Sequence, residues 1–177
     1  MANKLLVIGG IRSGKTAMAE QRAQAAGEPV VYVATATAGD DEMAQRITRH
    51  QEQRPASWGL AEEPLQLAKV LKDVQAETAN PPLLLIDCMS LWVSNLLFAG
   101  DEVFAREREA FLNAVEHYAG SVVVVTNEVG LGTIGMDPLT RRFADELGWL
   151  NQGLAERCDE VVMSVAGLPL TLKGSST

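Results

Sequence analysis

The chain has 177 residues, 47% of them hydrophobic, and 15 Lys and Arg against 23 Asp and Glu give a formal net charge of −8. That length suits one domain with a sizeable core, so residues 1–177 are expected to form a single unit, and the acidic balance excludes broad binding to a DNA or RNA backbone, which needs clustered Lys and Arg. Cys88 and Cys158 form no C-x-x-C unit, which argues against a disulfide framework or zinc site and for a reducing, cytoplasmic setting. The N-terminus reads as lacking a signal peptide, and the apolar runs at 83–86 and 122–125 are too short to span a membrane.

The first element is an apolar run, Leu5-Leu6-Val7-Ile8, that ends at a glycine pair. Gly9, Gly14, Lys15 and Thr16 then fit the spacing G-x-x-x-x-G-K-[ST] of a phosphate-binding P-loop. Glycines let the backbone approach a polyphosphate closely, and the helix that follows presents its positive end to the anion. A helix is predicted from Ala17 onward. Lys15 reaches the β- and γ-phosphates in such a loop, and the Thr16 hydroxyl holds Mg²⁺.

After Gly27, Pro29-Val30-Val31-Tyr32-Val33-Ala34 reads as a second strand, with Thr35, Ala36 and Thr37 in a small-residue loop at its carboxyl end. A helix is predicted over 41–54, capped by Asp40 or Asp41 and stopped by Pro55. Residues 56–59 read as a polar loop leading past Glu62. Pro64 is expected to open a helix whose apolar positions are Leu65, Leu67, Ala68, Leu71 and Val74. Leu83-Leu84-Leu85-Ile86-Asp87 reads as a strand buried on both faces and ending in a carboxylate. Residues 90–98 and 101–118 look helical. A further buried strand covers 121–128, followed by a glycine-rich loop. Pro138 starts a long helix with Leu139, Phe143, Leu147, Leu150 and Leu154 on one face. The last two strands, about 159–165 and 168–172, lie too close together for a parallel crossover and predict a hairpin. The fold class is therefore α/β: a P-loop NTPase-like, mostly parallel sheet flanked by helices, with a C-terminal β-hairpin.

In open α/β sheets ligands bind outside the carboxyl ends of the strands. Asp87 stands at such an end in the Walker B pattern, where a carboxylate orders Mg²⁺; an acidic residue marking a strand end is the plainer alternative. Arg46, His50 and Arg54 are spaced four apart, on one face of the predicted helix, with Arg49 beside them. A positive stripe with one imidazole suits a polyphosphate, and imidazole is a nucleophile toward phosphorus. A solvated basic face explains the same spacing. Arg141 and Arg142 are candidates for an arginine finger or a surface pair. His117 reads as an ordinary helix residue, and Trp58, Trp92 and Trp149 as packing residues.

With these residues in view, the chain resembles the bifunctional adenosylcobinamide kinase/adenosylcobinamide-phosphate guanylyltransferase family of cobalamin biosynthesis, nearly end to end. The likeness rests on residues 9–16, Tyr32-Val33-Ala34-Thr35, residues 40–43, Arg46-Ile47-Thr48-Arg49-His50, Arg54-Pro55, Trp58 with Glu62, residues 93–98, Thr126-Asn127-Glu128-Val129-Gly130, Asn151-Gln152 and Ala166-Gly167-Leu168-Pro169. Residues 40–55 and Thr-Asn-Glu-Val-Gly are its specific parts; the P-loop is shared by many families. The resemblance implies phosphorylation of the aminopropanol hydroxyl of adenosylcobinamide by ATP or GTP, then transfer of GMP from GTP to adenosylcobinamide phosphate. It implies that His50 carries GMP covalently. It also implies nucleotide contacts at Gly9, Gly10, Ile11, Arg12, Ser13, Gly14, Lys15, Thr16, Thr35, Ala36, Thr37, Gln51, Glu52, Gln53, Arg54, Glu62 and Asp87, and a homo-oligomer, a trimer in the family. Asp87 stands where a well-known member has a glutamate, and residues 132–138 depart from the family's Gly-Ile-Val-Pro. Two other readings compete. Another small-molecule P-loop kinase needs no histidine helix. A signalling GTPase needs Asn-Lys-x-Asp, where this chain has Thr126-Asn127-Glu128-Val129.

Overall fold

A computed structural model describes residues 2–36 and 55–174. The expected helix over 41–54 lies outside the described residues, and with it His50, Gln51, Glu52, Gln53 and Arg54; so do Thr37 and the tail at 175–177. The strands are β1 (Lys4–Gly9), β2 (Val30–Ala34), β3 (Gly59–Glu62), β4 (Leu83–Asp87), β5 (Val122–Asn127), β6 (Glu160–Val165) and β7 (Leu168–Lys173). The helices are α1 (Lys15–Ala25), α2 (Leu67–Glu77), α3 (Met89–Ala99), α4 (Asp101–His117) and α5 (Pro138–Arg157).

The strands form one seven-stranded sheet in the order β3-β2-β4-β5-β1-β6-β7. Every neighbouring pair is parallel except β6 and β7, which form the expected antiparallel hairpin. Because side chains alternate across a strand, each apolar run supplies both faces of the sheet. Leu6, Ile8, Leu84, Ile86, Val122 and Val124 pack with residues of α2, α3, α4 and α5. Leu5, Val7, Leu83, Leu85, Val123 and Val125 face the other way, where Ala19 and Ala23 seat α1. Alanines at the contact let that helix lie close to the sheet. On the first face Trp92 is fully buried, meets Phe111 edge-on at 4.9 Å, and donates its indole N–H to the Leu65 carbonyl at 2.9 Å.

Three expectations need correction. Residues 59–62 were expected in a loop region, yet they form the edge strand β3, parallel to β2. The segment is too short, and has too few large apolar residues, to show a strand pattern. The helix predicted from Pro64 begins at Leu67 instead. There Glu63 turns back, its carboxylate accepting from the Leu65 and Gln66 backbone N–H groups at 2.9 and 2.8 Å, so these donors are satisfied before the helix starts. Finally, Trp149 and Leu139 were assigned to packing, but they are 57% and 51% exposed. The cause is where α5 lies. Asn151 bonds Thr126 and the Asn127 carbonyl at the carboxyl end of β5, and the helix then runs down to β6. The first turns of α5, which carry Leu139, therefore extend past the strand ends, where no sheet covers them; Trp149, between the fully buried Leu147 and Leu150, is exposed because it falls on the side of the helix turned away from the core.

Candidate functional site

The strand registers draw one row across the carboxyl edge of the sheet. Glu62 pairs with Ala34, Ala34 with Asp87, and Asp87 with Val125; the row then steps two residues along β5 to Asn127, which pairs with Gly9, itself paired with Ser164. The P-loop springs from this row at Gly9. Gly14 caps α1 in a left-handed conformation (φ 89°) and lies so near the β6–β7 turn that a Cβ on it would stand 3.0 Å from the Gly167 Cα. The turn grips the loop as well: the Ser13 carbonyl accepts from the Gly167 backbone N–H and from the Ser164 hydroxyl, both at 2.8 Å. The P-loop is thus braced from behind by residues about 150 positions further on.

Within the loop, the Lys15 amine donates to the Gly10 carbonyl at 3.1 Å, which holds its charge over the loop. Ser13 is 8% exposed, and its hydroxyl is without a hydrogen-bond partner among the described residues. Arg12 adopts a positive φ of 52°, and Ile11 is exposed.

Asp87 comes to the P-loop helix directly. One of its carboxylate oxygens accepts from the Thr16 hydroxyl at 3.1 Å and from the Tyr32 phenol at 2.9 Å. Seventy-one positions separate Thr16 from Asp87. The peptide bond that follows, Asp87–Cys88, is cis. Thr35 holds this corner together, its hydroxyl donating to the Cys88 carbonyl at 2.8 Å and accepting from the Cys88 N–H at 2.9 Å. Burial, reinforced by the Asp87 charge, pushes the Cys88 thiol up. It stays protonated at neutral pH and is a poor nucleophile.

Asn127 ends β5, the strand between β4 and β1. Its side-chain carbonyl accepts from the Ser90 hydroxyl at 2.8 Å, and its backbone carbonyl accepts from the Asn151 amide at 3.1 Å. Asn151 in turn accepts from the buried Thr126 hydroxyl at 2.6 Å. This network ties the start of α3 and the middle of α5 to the strand ends.

The structure therefore brings together residues 9–16, Thr35, Ala36 and Asp87. Glu62 lies on the same row, but four strand spacings, about 19 Å, from Gly9. Arg142 ion-pairs with Asp101 at 2.6 Å, and Arg141 donates to the carbonyls of Met136 and Gly135 at 2.5 and 3.3 Å. Both are committed to contacts of their own, at the start of α4 and in the loop before α5. His117, on an exposed turn of α4, bonds the Asn113 carbonyl at 2.9 Å. Sequence reasoning missed Tyr32, Ser90 and Ser164 as partners of the site. No local spacing signals them, because each acts through a contact across the sheet.

The family model for cobinamide kinase / cobinamide phosphate guanyltransferase matches residues 5–172. The chain belongs to that family. It is 48% identical over 170 residues, 96% of each chain, to the bifunctional adenosylcobalamin biosynthesis protein CobP of Pseudomonas aeruginosa. Relatives called CobU are 38% identical in Salmonella typhimurium and 33% identical in Escherichia coli, each alignment covering 96% of this chain and 99% of the relative. Family membership accords with the α/β sheet that carries the P-loop. It makes the chain an enzyme with kinase and nucleotidyltransferase activities.

Proposed function

We propose that this chain phosphorylates adenosylcobinamide with ATP or GTP and then transfers GMP from GTP to the resulting phosphate, yielding adenosylcobinamide-GDP and pyrophosphate. The observation that carries the assignment of site residues is the 3.1 Å contact between Thr16 and Asp87. It joins the P-loop helix to an acidic strand end, as a triphosphate site requires. The phosphates would lie along the backbone N–H groups of residues 9–16, with the positive end of α1 and the Lys15 amine offsetting their charge. The buried Ser13 hydroxyl, lacking a partner among the described residues, supplies one more donor there.

Mg²⁺ suits the oxygen pair of Thr16 and Asp87. The described residues contain no cluster of three His, Cys, Asp or Glu side chains, and Mg²⁺ commonly takes one or two protein oxygens and completes its shell with phosphates and water. When bound, it would neutralise charge developing on the phosphates. Ala36 and Glu62 lie at the carboxyl ends of β2 and β3, away from the phosphates, which supports their reading as contacts to the nucleoside end; Thr35, fully buried with its hydroxyl engaged by Cys88, would support that edge from beneath. Thr37, Gln51, Glu52, Gln53 and Arg54 complete the proposed nucleotide contacts on sequence grounds.

For the transfer, an imidazole nitrogen of His50 attacks the α-phosphorus of GTP. A P–N bond forms and the P–O bond to pyrophosphate breaks. An oxygen of adenosylcobinamide phosphate then attacks the same phosphorus and releases the imidazole. Arg46 and Arg54, one helical turn to either side in the predicted helix, offset the phosphate charge. A homo-oligomer and a cytoplasmic location follow from the same reading. Both are supported by the resemblance; no helix among the described residues is long and apolar enough to cross a membrane.

Intact-mass analysis after incubation with GTP and Mg²⁺ tests the carrier. Wild type is expected to gain one GMP, in a bond labile to acid and stable to alkali. His50→Ala should lose both the adduct and guanylyl transfer while retaining kinase turnover, since phosphorylating a hydroxyl needs no enzyme nucleophile. A GMP-sized gain that survives in His50→Ala places the nucleophile elsewhere. If wild type gains no mass and makes no adenosylcobinamide-GDP, a small-molecule P-loop kinase remains; if it gains no mass yet transfers GMP, the carrier mechanism fails and the acceptor phosphate attacks GTP directly.

A further inference from the structure

The proposed reactions need a second substrate to approach the phosphates from the carboxyl edge of the sheet, and among the described residues a groove opens there. It lies between α3 and the projecting turns of α5. Leu97 and Phe143 are half-buried in it, Phe98 and Leu139 stand exposed at its mouth, and Ser90 and Ser94 contribute hydroxyls; its volume is about 390 Å³. None of its lining residues carries a charge. Its inner end is Ser90, whose hydroxyl bonds Asn127, and Asn127 pairs directly with Gly9 at the root of the P-loop. The groove thus ends next to the root of the P-loop without being suited to phosphate itself.

Other grooves fail this positional requirement. One of about 490 Å³ lies behind the P-loop, between α1 and the β6–β7 hairpin, on the opposite face of the sheet. One beside Asn3, Glu28 and Ser121 lies at the amino ends of the strands. A third, between Arg106 and Arg157, lies on the outer side of α4 and α5.

We propose that the groove between α3 and α5 seats the ring of the corrinoid acceptor, an inference that rests on the function proposed above. A corrinoid is a broad, largely apolar ring system fringed with carboxamides. Small-molecule sites are mostly apolar with a few placed polar groups, and this groove offers aliphatic and aromatic walls with hydroxyls that can exchange hydrogen bonds with amides. Phe98, 80% exposed at the mouth, offers a flat apolar surface to the ring edge. The arm bearing the reacting hydroxyl, later its phosphate, would pass Ser90 toward the triphosphate. The ring stays outside the charged loop while only the arm enters it.

The test is equilibrium dialysis of cobinamide, followed by its visible absorbance, against full-length wild type, Leu139→Glu and Phe98→Glu, with GTP binding and sedimentation measured in parallel. Both positions are exposed, so a new carboxylate is compatible with folding, and the two variants report independently. A carboxylate placed against the ring loses solvation, and each variant should bind cobinamide at least tenfold more weakly while its GTP affinity and sedimentation stay as in wild type. Unchanged cobinamide affinity in both variants overturns the proposal. Weakened affinity accompanied by a smaller assembly overturns it in favour of a contact between copies of the chain. Wild type that binds no cobinamide removes the proposed substrate itself, and this inference with it.

Discussion

In the proposed site Lys15 and Asp87 serve the same phosphates by opposite charges, so their substitutions should separate. Lys15→Ala removes a cation from the loop that both reactions share. It should lower kcat/KM for kinase and transferase alike by roughly a hundredfold or more. Kinetics that leave either step near wild type remove Lys15 from that step. Asp87→Asn keeps the shape of a side chain that meets Thr16 and Tyr32 but loses its charge. Turnover should fall and the Mg²⁺ requirement rise, with little change in thermal midpoint; an unaltered Mg²⁺ titration removes Asp87 from metal binding. Cys158 links a residue to pH. Burial, with the Asp159 charge adding to it, pushes its thiol up to about 12. The unfolded chain loses that proton near pH 8.5, so above this pH it binds fewer protons than the folded chain. Stability therefore falls as pH rises from about 8.5 toward 12. Tyr118, also raised to about 12 by burial and by Glu28, adds to the fall at higher pH. Urea midpoints at pH 7 and pH 10 should differ in wild type and differ less in Cys158→Ala. Equal midpoints in wild type contradict this account of the buried thiol.

The β6–β7 hairpin is the element whose role could not be read from its own residues. Its turn holds Ala166 at φ 53° and Gly167 at φ 77°, and the Gly167 N–H reaches the Ser13 carbonyl. Gly167→Val puts a β-branched side chain where L-residues are strained by about 1–2 kcal/mol, and the turn must shift away from the P-loop. The expected result is a higher KM for GTP together with a lower thermal midpoint. A lower midpoint with KM unchanged would mean that the turn stabilises the edge without positioning the loop. The hairpin itself was legible, because two strand patterns stood too close for a crossover. So were β4 and β5, whose continuous apolar runs belong to strands covered on both faces, and the P-loop, whose chemistry is local. Hidden from the sequence were β3, an edge strand of four residues, and the contacts of Ser164 with Ser13 and of Ser90 with Asn127. These depend on strand order, which nothing in the spacing of one chain reveals. The exposure of Leu139 was hidden for a related reason: its helical periodicity marks a face, but not how far the helix outruns the sheet.

At the scale of the whole molecule, two reactions must be served by one P-loop. The sheet has a single G-x-x-x-x-G-K-T loop, at the carboxyl end of β1, and the row from Gly9 to Glu62 offers one path for a nucleotide. Kinase donor and guanylyl donor would then occupy the same place in turn and exclude each other. A non-hydrolysable ATP analogue should inhibit formation of the GMP adduct in a manner overcome by GTP. Its inhibition constant should equal its dissociation constant from the free enzyme, since one site determines both. Direct titration should saturate at one triphosphate per chain, whether the nucleotide is the ATP analogue or a non-hydrolysable GTP analogue. The same logic makes order important: once pyrophosphate has left and GMP rests on the carrier, the loop is vacant, and the guanylylated enzyme should bind the ATP analogue again. Inhibition that persists at saturating GTP, or two triphosphates bound per chain of unmodified enzyme, would require a second nucleotide site and dismiss the shared loop.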